Sequence, residues 1–336
     1  MPTLNTIQKS KSKKDFGREA IEVLFMDEWI CVINKPTGLL TCPYPGSRAR
    51  TAEELLEEYM RKNGTFNANH RPFVVHRLDR DTSGVMMFAL TETAQKKIMD
   101  SWHQIVTERL YHAVAENPKN KSLILPKSGL IDDELAFNSH NVGFVPKEGD
   151  RPKHKGEKDS LYERHIEGHG ENRRFKTVPA RTNYKVVAAG PTHTLFELSL
   201  DTGKKNQIRA HLASKGYPLA GDENYRARTD NFGRLCLHAR TLEFEHPFTH
   251  EPMKFEVPEP EEWLEYVKKG DFKPKTPVWI EAMNKVFDNT KGEHFHSRNS
   301  RNPHEAETLN LGKKRLTQKD RAHMNFIEAG KRKSSW

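Results

Sequence analysis

The stretch that most constrains this chain is His76-Arg77-Leu78-Asp79-Arg80-Asp81-Thr82-Ser83-Gly84. An apolar, β-type run precedes it, Phe73-Val74-Val75, and a second follows, Val85-Met86-Met87-Phe88-Ala89-Leu90. Asp-Thr-Ser-Gly is turn chemistry: short polar side chains bond their own backbone, and a residue free to take φ > 0 comes next. A polar loop held between two buried strands is where a rigid scaffold presents reacting groups. Within it, Asp79 lies between Arg77 and Arg80. Flanking guanidiniums favour an ionised carboxylate. Such a group suits a nucleophile at an electrophilic carbon, or a salt-bridge anchor. From the residues alone both readings stand, because Arg/Asp-rich loops are commonly surface ion networks.

His-Arg-Leu-Asp-x-x-Thr-Ser-Gly resembles the active-site motif of the RluA-type pseudouridine synthases, at every position from His76 to Gly84. Further segments resemble that family in chain order over about 21 to 258. Asn34-Lys35-Pro36-Thr37-Gly38 is similar to its Asn-Lys-Pro-x-Gly loop. Lys35 reads either as a snorkelling surface lysine or as a phosphate contact near the site. Tyr111 stands in a basic-x-Tyr context like the family's second motif, which implies a tyrosine packed on the target base; as a plain strand residue it would be half-buried in a sheet. Gln207-Ile208-Arg209-Ala210-His211, after Asp201-Thr202-Gly203, resembles the third motif. The resemblance implies that Arg209 pairs with Asp79 and that Ile208 and Leu237 line the uracil pocket. One departure stands out: relatives usually carry Arg-Thr-His where this chain has Lys204-Lys205-Asn206. That keeps positive charge but loses the bidentate fork of arginine.

Patterning supplies the elements. Ile21–Phe25 and Ile30–Ile33 read as strands around a Met26–Trp29 turn. Residues 51–63 fit a helix capped by Thr51, with Leu55, Leu56, Tyr59 and Met60 inward. Thr91 caps a second helix, Glu92 to about His103, with Ala94, Ile98, Met99 and Trp102 inward. Strands are expected at 108–115, 180–187 and 194–200, and a short helix around Trp263 and Tyr266. This order points to α+β, and the resemblance makes it the pseudouridine synthase fold: a mixed, mostly antiparallel sheet with flanking helices and a central basic cleft. The expected organisation is a basic disordered tail over 1–18, a catalytic domain over 19–270 with a charged flexible insert about 136–178, and a basic extension over 271–336.

Charge narrows the partner. The 336 residues carry a formal net charge of +9, a pI near 9.3 and 30% charged residues. Residues 291–336 hold eleven Lys/Arg against five Asp/Glu, so +6 of that excess lies in the last stretch. A basic chain favours an anionic partner, nucleic acid above all. The three cysteines, Cys31, Cys42 and Cys236, lack metal-ligand spacing and argue against a disulfide framework. Cys31 and Cys236 sit in apolar runs and read as core residues. No run approaches 18 apolar residues, and no apolar signal core opens the chain. A cytoplasmic monomer is expected, without membrane association. No metal site and no cofactor are expected, since neither a nucleotide-binding glycine loop nor a metal cluster is present.

The resemblance implies isomerisation of a uridine in RNA, ribosomal or transfer RNA, with ribosomal preferred. Asp79, Tyr111 and Arg209 are then the catalytic set, and His76, Arg77, Arg80, Lys35, Lys204 and Lys205 the RNA contacts. Two rivals are a glycoside hydrolase using Asp79 and Asp81, and an RNA-binding relative without catalysis. Carboxylates at i and i+2 in a tight turn seldom converge on one bond. A relative that had lost catalysis would be expected to lose Asp79, Tyr111 or Arg209, and all three are present.

Overall fold

The computed structural model describes residues 20–138, 141–150, 166–168, 174–272 and 280. The expectations for 1–18, for much of 136–178 and for nearly all of 271–336 fall outside these residues. The chain divides into two units, 1–282 and 283–336, and the described residues all lie in the first.

Two strands, β1 (Glu22–Met26) and β2 (Ile30–Lys35), open the fold as a hairpin. Its turn is set by Asp27, whose Oδ1 accepts from the Trp29 and Ile30 N–H groups at 2.8 Å each. Helix α1 (Ala52–Lys62) follows. Thr51 and Glu54 close a reciprocal capping box at its start, satisfying two orphan donors. Leu55, Leu56 and Met60 turn inward as expected, while Tyr59 is exposed on the flank of the apolar stripe.

Strands β3 (Phe73–Val74) and β4 (Ser83–Ala89) flank the polar loop, and helix α2 (Glu92–Ile105) runs directly into β5 (Val106–Glu116). Ser83 and Gly84 therefore belong to a strand and not to the loop. Met99 on α2 is exposed, whereas Ala94 and Ile98 are buried. Next come β6 (Ser128–Ile131), β7 (Leu135–Phe137), β8 (Gly143–Phe144), β9 (Ile166–Glu167), β10 (Arg174–Phe175) and β11 (Thr177–Val178). The described parts of the 136–178 stretch thus include short paired strands: β11, β7 and β8 form a small sheet, and β9 pairs with β10. The last elements are β12 (Thr182–Ala189), β13 (His193–Leu200), α3 (Gln207–Ser214), β14 (Leu237–Glu245), β15 (Pro252–Glu256) and α4 (Glu262–Lys269).

The main sheet runs β1-β2-β4-β14-β5-β13-β12-β6, with β3 added on β4 and β15 on β14. Its pairings are antiparallel except β4 with β14, which is parallel. The sheet is mixed and mostly antiparallel, and the fold is α+β. Strand alternation sends successive side chains to opposite faces. On one face Met86, Phe88, Tyr111, Phe196 and Leu198 form the largest core with α1 and α3. On the other, Val85, Met87 and Ala89 pack on α2, and Val114 and Leu195 pack on Trp263 and Val267 of α4.

The parallel contact explains one glycine. Gly84 lies opposite Ala239 at φ 115, and a Cβ there would sit 2.0 Å from the Ala239 carbonyl oxygen. Only glycine lets the two strands close at this point.

Candidate active site

The loop carrying Asp79 is fixed by its backbone. Residues 35–41, from the last residue of β2 onward, bind three of its carbonyls. Lys35 Nζ donates to Arg80 O at 3.0 Å, Thr37 Oγ1 to Asp81 O at 2.8 Å, and Thr41 Oγ1 to Leu78 O at 2.8 Å. Lys35 Nζ also donates to Pro36 O at 3.0 Å and to Leu39 O at 2.7 Å. Its side chain is 0% exposed. Three carbonyl acceptors match the three hydrogens of an ammonium. Burial pushes its pKa down to about 7, against the pull of Asp81 and, more weakly, Asp79. Lys35 is therefore neither a snorkelling lysine nor a phosphate contact: it is the internal tie between two loops.

His76 also bonds the scaffold. Its Nε2 accepts from the Met87 N–H at 2.9 Å, and its ring lies 4.9 Å from that of Trp102 on α2. Burial, with Arg109 nearby, holds the imidazole down to about 3. This neutral ring ties the loop to β4 through Nε2, while the side chain as a whole is only half-buried.

Behind the loop, Arg234 Nη2 donates to Ser83 Oγ at 2.5 Å, and Ser83 Oγ lies 2.8 Å from His238 Nδ1. His238 Nε2 lies 2.9 Å from Val257 O, which can only accept. Nε2 is thus the protonated nitrogen, and the Ser83 hydroxyl donates to Nδ1. The chain of bonds holds the start of β4 from its far side.

The second wall is the start of α3. Asn206, at φ 57, precedes the helix, and its Nδ2 donates to Asp79 Oδ2 at 3.0 Å. Gln207 is fully paired. Its amide nitrogen donates to Arg181 O and Thr182 Oγ1, and its oxygen accepts from Lys204 N and Thr202 Oγ1. Arg209 makes two 2.7 Å bonds to Asp222. The expected Arg209–Asp79 pair is therefore replaced by Arg209–Asp222. The reason is geometric: Asp222 is buried at the cap of the 223–225 turn and presents both oxygens to the guanidinium fork. Burial works against the Arg209 charge, but the Asp222 bond outweighs it and raises the pKa, with a smaller contribution from Asp79. Asp79 thus acts on Arg209 only through its charge, while Asn206 holds it directly.

Tyr111 is buried with Ile208, Leu237 and Leu78 in one apolar cluster. Burial raises its phenol pKa, which Arg109 partly offsets and Asp79 reinforces. It is a neutral phenol beside an acidic side chain. Arg77, Lys204 and Lys205 are exposed, and the exposed Arg80 pairs with Asp81 at 3.1 Å. Among the described residues no group of acidic, His or Cys side chains has metal-binding geometry, and no helix is long and apolar enough to cross a membrane. Cys31 and Cys236 are buried free thiols, the latter pushed up to about 12 by burial.

Comparison with known proteins bears on this constellation. Residues 30–214 match the family described as RNA pseudouridylate synthase. The chain is 32% identical over 249 residues to an uncharacterized RNA pseudouridine synthase of Bacillus subtilis, YlyB, covering 74% of this chain and 72% of that one. The chain belongs to the RNA pseudouridylate synthase family. It is an RNA pseudouridine synthase, and the likeness drawn from His76–Gly84 holds. It is also 30% identical over 274 residues to a ribosomal large subunit pseudouridine synthase D of Neisseria meningitidis, covering 76% of this chain and 63% of that protein. Human RNA Pseudouridylate Synthase Domain Containing 4 shares the fold, with TM-score 0.52 and 20% identity over 74% of this chain and 92% of that one.

Asn206, Asp222, Ser83 and Arg234 are the site residues that sequence reasoning left without a role. Asn206 carried a signal, since it falls in the one departure from the family pattern. Ser83 falls in the His76–Gly84 motif, and Asp222 and Arg234 in segments that resemble the family; the bonds of these three were not legible, because each acts through a partner 13 to 155 positions away.

Proposed function

We propose that this synthase isomerises a uridine of large-subunit ribosomal RNA, with Asp79 as the group that acts on the ribose. The observation that carries the reading is the Asp79 carboxylate, held at 3.0 Å by Asn206 at the start of α3 and electrostatically linked to Tyr111 and Arg209. The relatives named ribosomal large subunit pseudouridine synthase D support the choice of RNA. Residues 19–270 form the catalytic domain, which acts as a cytoplasmic monomer across a basic cleft.

The target nucleotide leaves its stack, at an expense of about a few kcal/mol that is least in a loop. Asp79 either attacks C1′ as the N1–C1′ bond breaks or removes the C2′ proton to leave a glycal. The freed uracil stays against Tyr111, Ile208 and Leu237, turns, and bonds to C1′ through C5. The C5 proton is lost and N1 is protonated, so nothing is oxidised or reduced. A neutral phenol suits Tyr111 to packing on the base and relaying that proton. Arg77, Arg80, Lys204 and Lys205 hold phosphates, and the basic stretch 271–336 adds nonspecific attraction that salt screens.

The test is pseudouridine mapping across total RNA from cells with and without the gene, paired with Asp79→Asn. Sites lost without the gene should lie in large-subunit ribosomal RNA; sites in transfer RNA would overturn the substrate. Asp79→Asn should lower the rate by about 10⁴-fold or more while RNA affinity stays within about threefold. Retained isomerisation by this variant would overturn the assignment of Asp79.

A further inference from the structure

The surface loop 42–50 is tied at its base to the residue before Asp79. Thr41, at its start, bonds Leu78 in both directions: Oγ1 donates to Leu78 O at 2.8 Å and accepts from the Leu78 N–H at 3.2 Å. The two ends of the loop are closed together, because the Ala52 N–H donates to Leu40 O at 2.7 Å and the Glu53 N–H to Thr41 O at 3.1 Å. Compact surface loops with joined ends often carry function. Within this one, the Ser47 N–H donates to Tyr44 O at 3.0 Å, and Gly46 takes φ 87. With Pro45 and Gly46 at the two central positions, Tyr44-Pro45-Gly46-Ser47 is a type II turn. The surrounding space is open, since a Cβ on Gly46 would meet nothing within 4 Å.

Tyr44 stands 57% exposed on this rigid support, between two prolines of fixed φ. Three residues separate it from Thr41, a span of at most about 11 Å. Its ring is therefore a few nucleotides at most from the Asp79 carboxylate. The loop holds two arginines and no acid. Arg50 is committed to Glu58, both of whose carboxylate oxygens accept from Nη2 at 2.7 Å. Arg48 is exposed and makes no ion pair with a described residue. A pre-ordered ring loses little freedom when a flat partner lands on it. Every nucleobase has a π-face, and unpaired RNA is held by such stacking together with cations on its backbone.

We propose that loop 42–50 is an RNA subsite beside the reacting nucleotide: Tyr44 stacks on an unpaired base flanking the target uridine, and Arg48 holds a phosphate next to it. This rests on the reading that Asp79 acts on the ribose, because Asp79 marks where the target lies. The subsite favours a uridine in an RNA loop, where neighbouring bases are free to splay onto a ring.

The test uses the full chain and a stem-loop oligoribonucleotide around a uridine that it modifies. Further versions carry one abasic residue at each of the three positions on either side of that uridine. Kd and single-turnover rates are measured for the wild type, Tyr44→Ala, Tyr44→Phe and Arg48→Gln. Tyr44→Ala should raise Kd by about tenfold, the scale of one lost stack, with the saturating rate within about threefold of the wild type. Tyr44→Phe should bind within about twofold, since stacking needs the ring and not the hydroxyl. One abasic position should weaken the wild type by a similar factor and leave Tyr44→Ala unaffected. Arg48→Gln should reduce the salt slope of binding by about one. A Kd for Tyr44→Ala within about twofold of the wild type, or no abasic position coupled to Tyr44, would overturn the proposal. So would normal binding of the oligonucleotide with modification lost only on assembled ribosomal subunits, which would give the loop to a protein partner. Asp79→Asn, measured on the same oligonucleotide, keeps the two readings apart: isomerisation retained there overturns the role of Asp79, whereas loss of the Tyr44 coupling alone overturns the subsite.

Discussion

Two buried cations flank Asp79, and they are held by opposite means. Lys35, beneath the 76–84 loop, satisfies three backbone carbonyls. Arg209, on α3, satisfies one side-chain carboxylate through a two-bond fork. A point charge with three rotatable donors can gather carbonyls from separate loops, whereas a planar fork matches a carboxylate. The loop wall is therefore ordered by where the backbone runs, and the helix wall by the identity of two side chains. Each wall should fail in its own way.

The largest effect is expected at the helix wall. Arg209→Met leaves Asp222 buried and unpaired, which should destabilise the protein by about 3–5 kcal/mol in urea unfolding. Replacing both, Arg209→Met with Asp222→Leu, should recover most of that loss. The rate of pseudouridine formation should stay low in the double variant, because Asp79 has also lost the nearby positive charge. Recovery of both stability and rate would show that the pair is scaffold alone, and would break the contrast drawn here.

At the loop wall, Lys35→Met leaves the carbonyls of Pro36, Leu39 and Arg80 short of a donor. A loss of about 1–3 kcal/mol is expected. The loop carrying Asp79 shifts with it, so kcat should fall more than KM rises. Lys35→Arg should do no better, since a planar fork cannot reach three carbonyls spread around one nitrogen. A lowered RNA affinity with an unchanged kcat would return Lys35 to the phosphate role.

Much of this arrangement was legible in sequence, unevenly. Thr51 and Thr91 announced their helices because capping is local chemistry. The turn residues of the 76–84 stretch placed the loop, although Ser83 and Gly84 proved to be strand. That followed from the parallel contact with Ala239, which lies 155 residues downstream and leaves no local trace. Tyr111, Ile208 and Leu237 were legible as apolar positions and are buried in the main core. Arg209 was assigned the wrong carboxylate. The sequence holds several acids in reach of a helix start, and only the fold puts Asp222 at bidentate distance. Lys35 misled for a related reason: an exposed and a buried lysine look alike in sequence, and the three carbonyls that bury this one are anonymous backbone.

The smallest expected effect separates the walls by acid. His238, behind the loop wall, is buried and held down to about 4 from an ordinary 6.5, chiefly by burial against the help of its Val257 bond. His211, on the helix wall, is lowered by burial in the same sense, with Asp133 O opposing. A depressed imidazole pKa means the unfolded chain takes up protons first. The stability each provides is complete above pH 6.5 and drains away as pH falls toward the folded value. For His238 the loss at about pH 5.5 should be about 1 kcal/mol. His238→Gln supplies an acceptor for Ser83 and a donor for Val257 but does not titrate, so it should flatten this acid limb by that amount. His211→Gln should flatten it less. Unfolding curves of the three proteins between pH 7.5 and 5 decide the matter. Equal flattening by the two substitutions would mean that acid does not distinguish the wall held through backbone from the wall held through side chains.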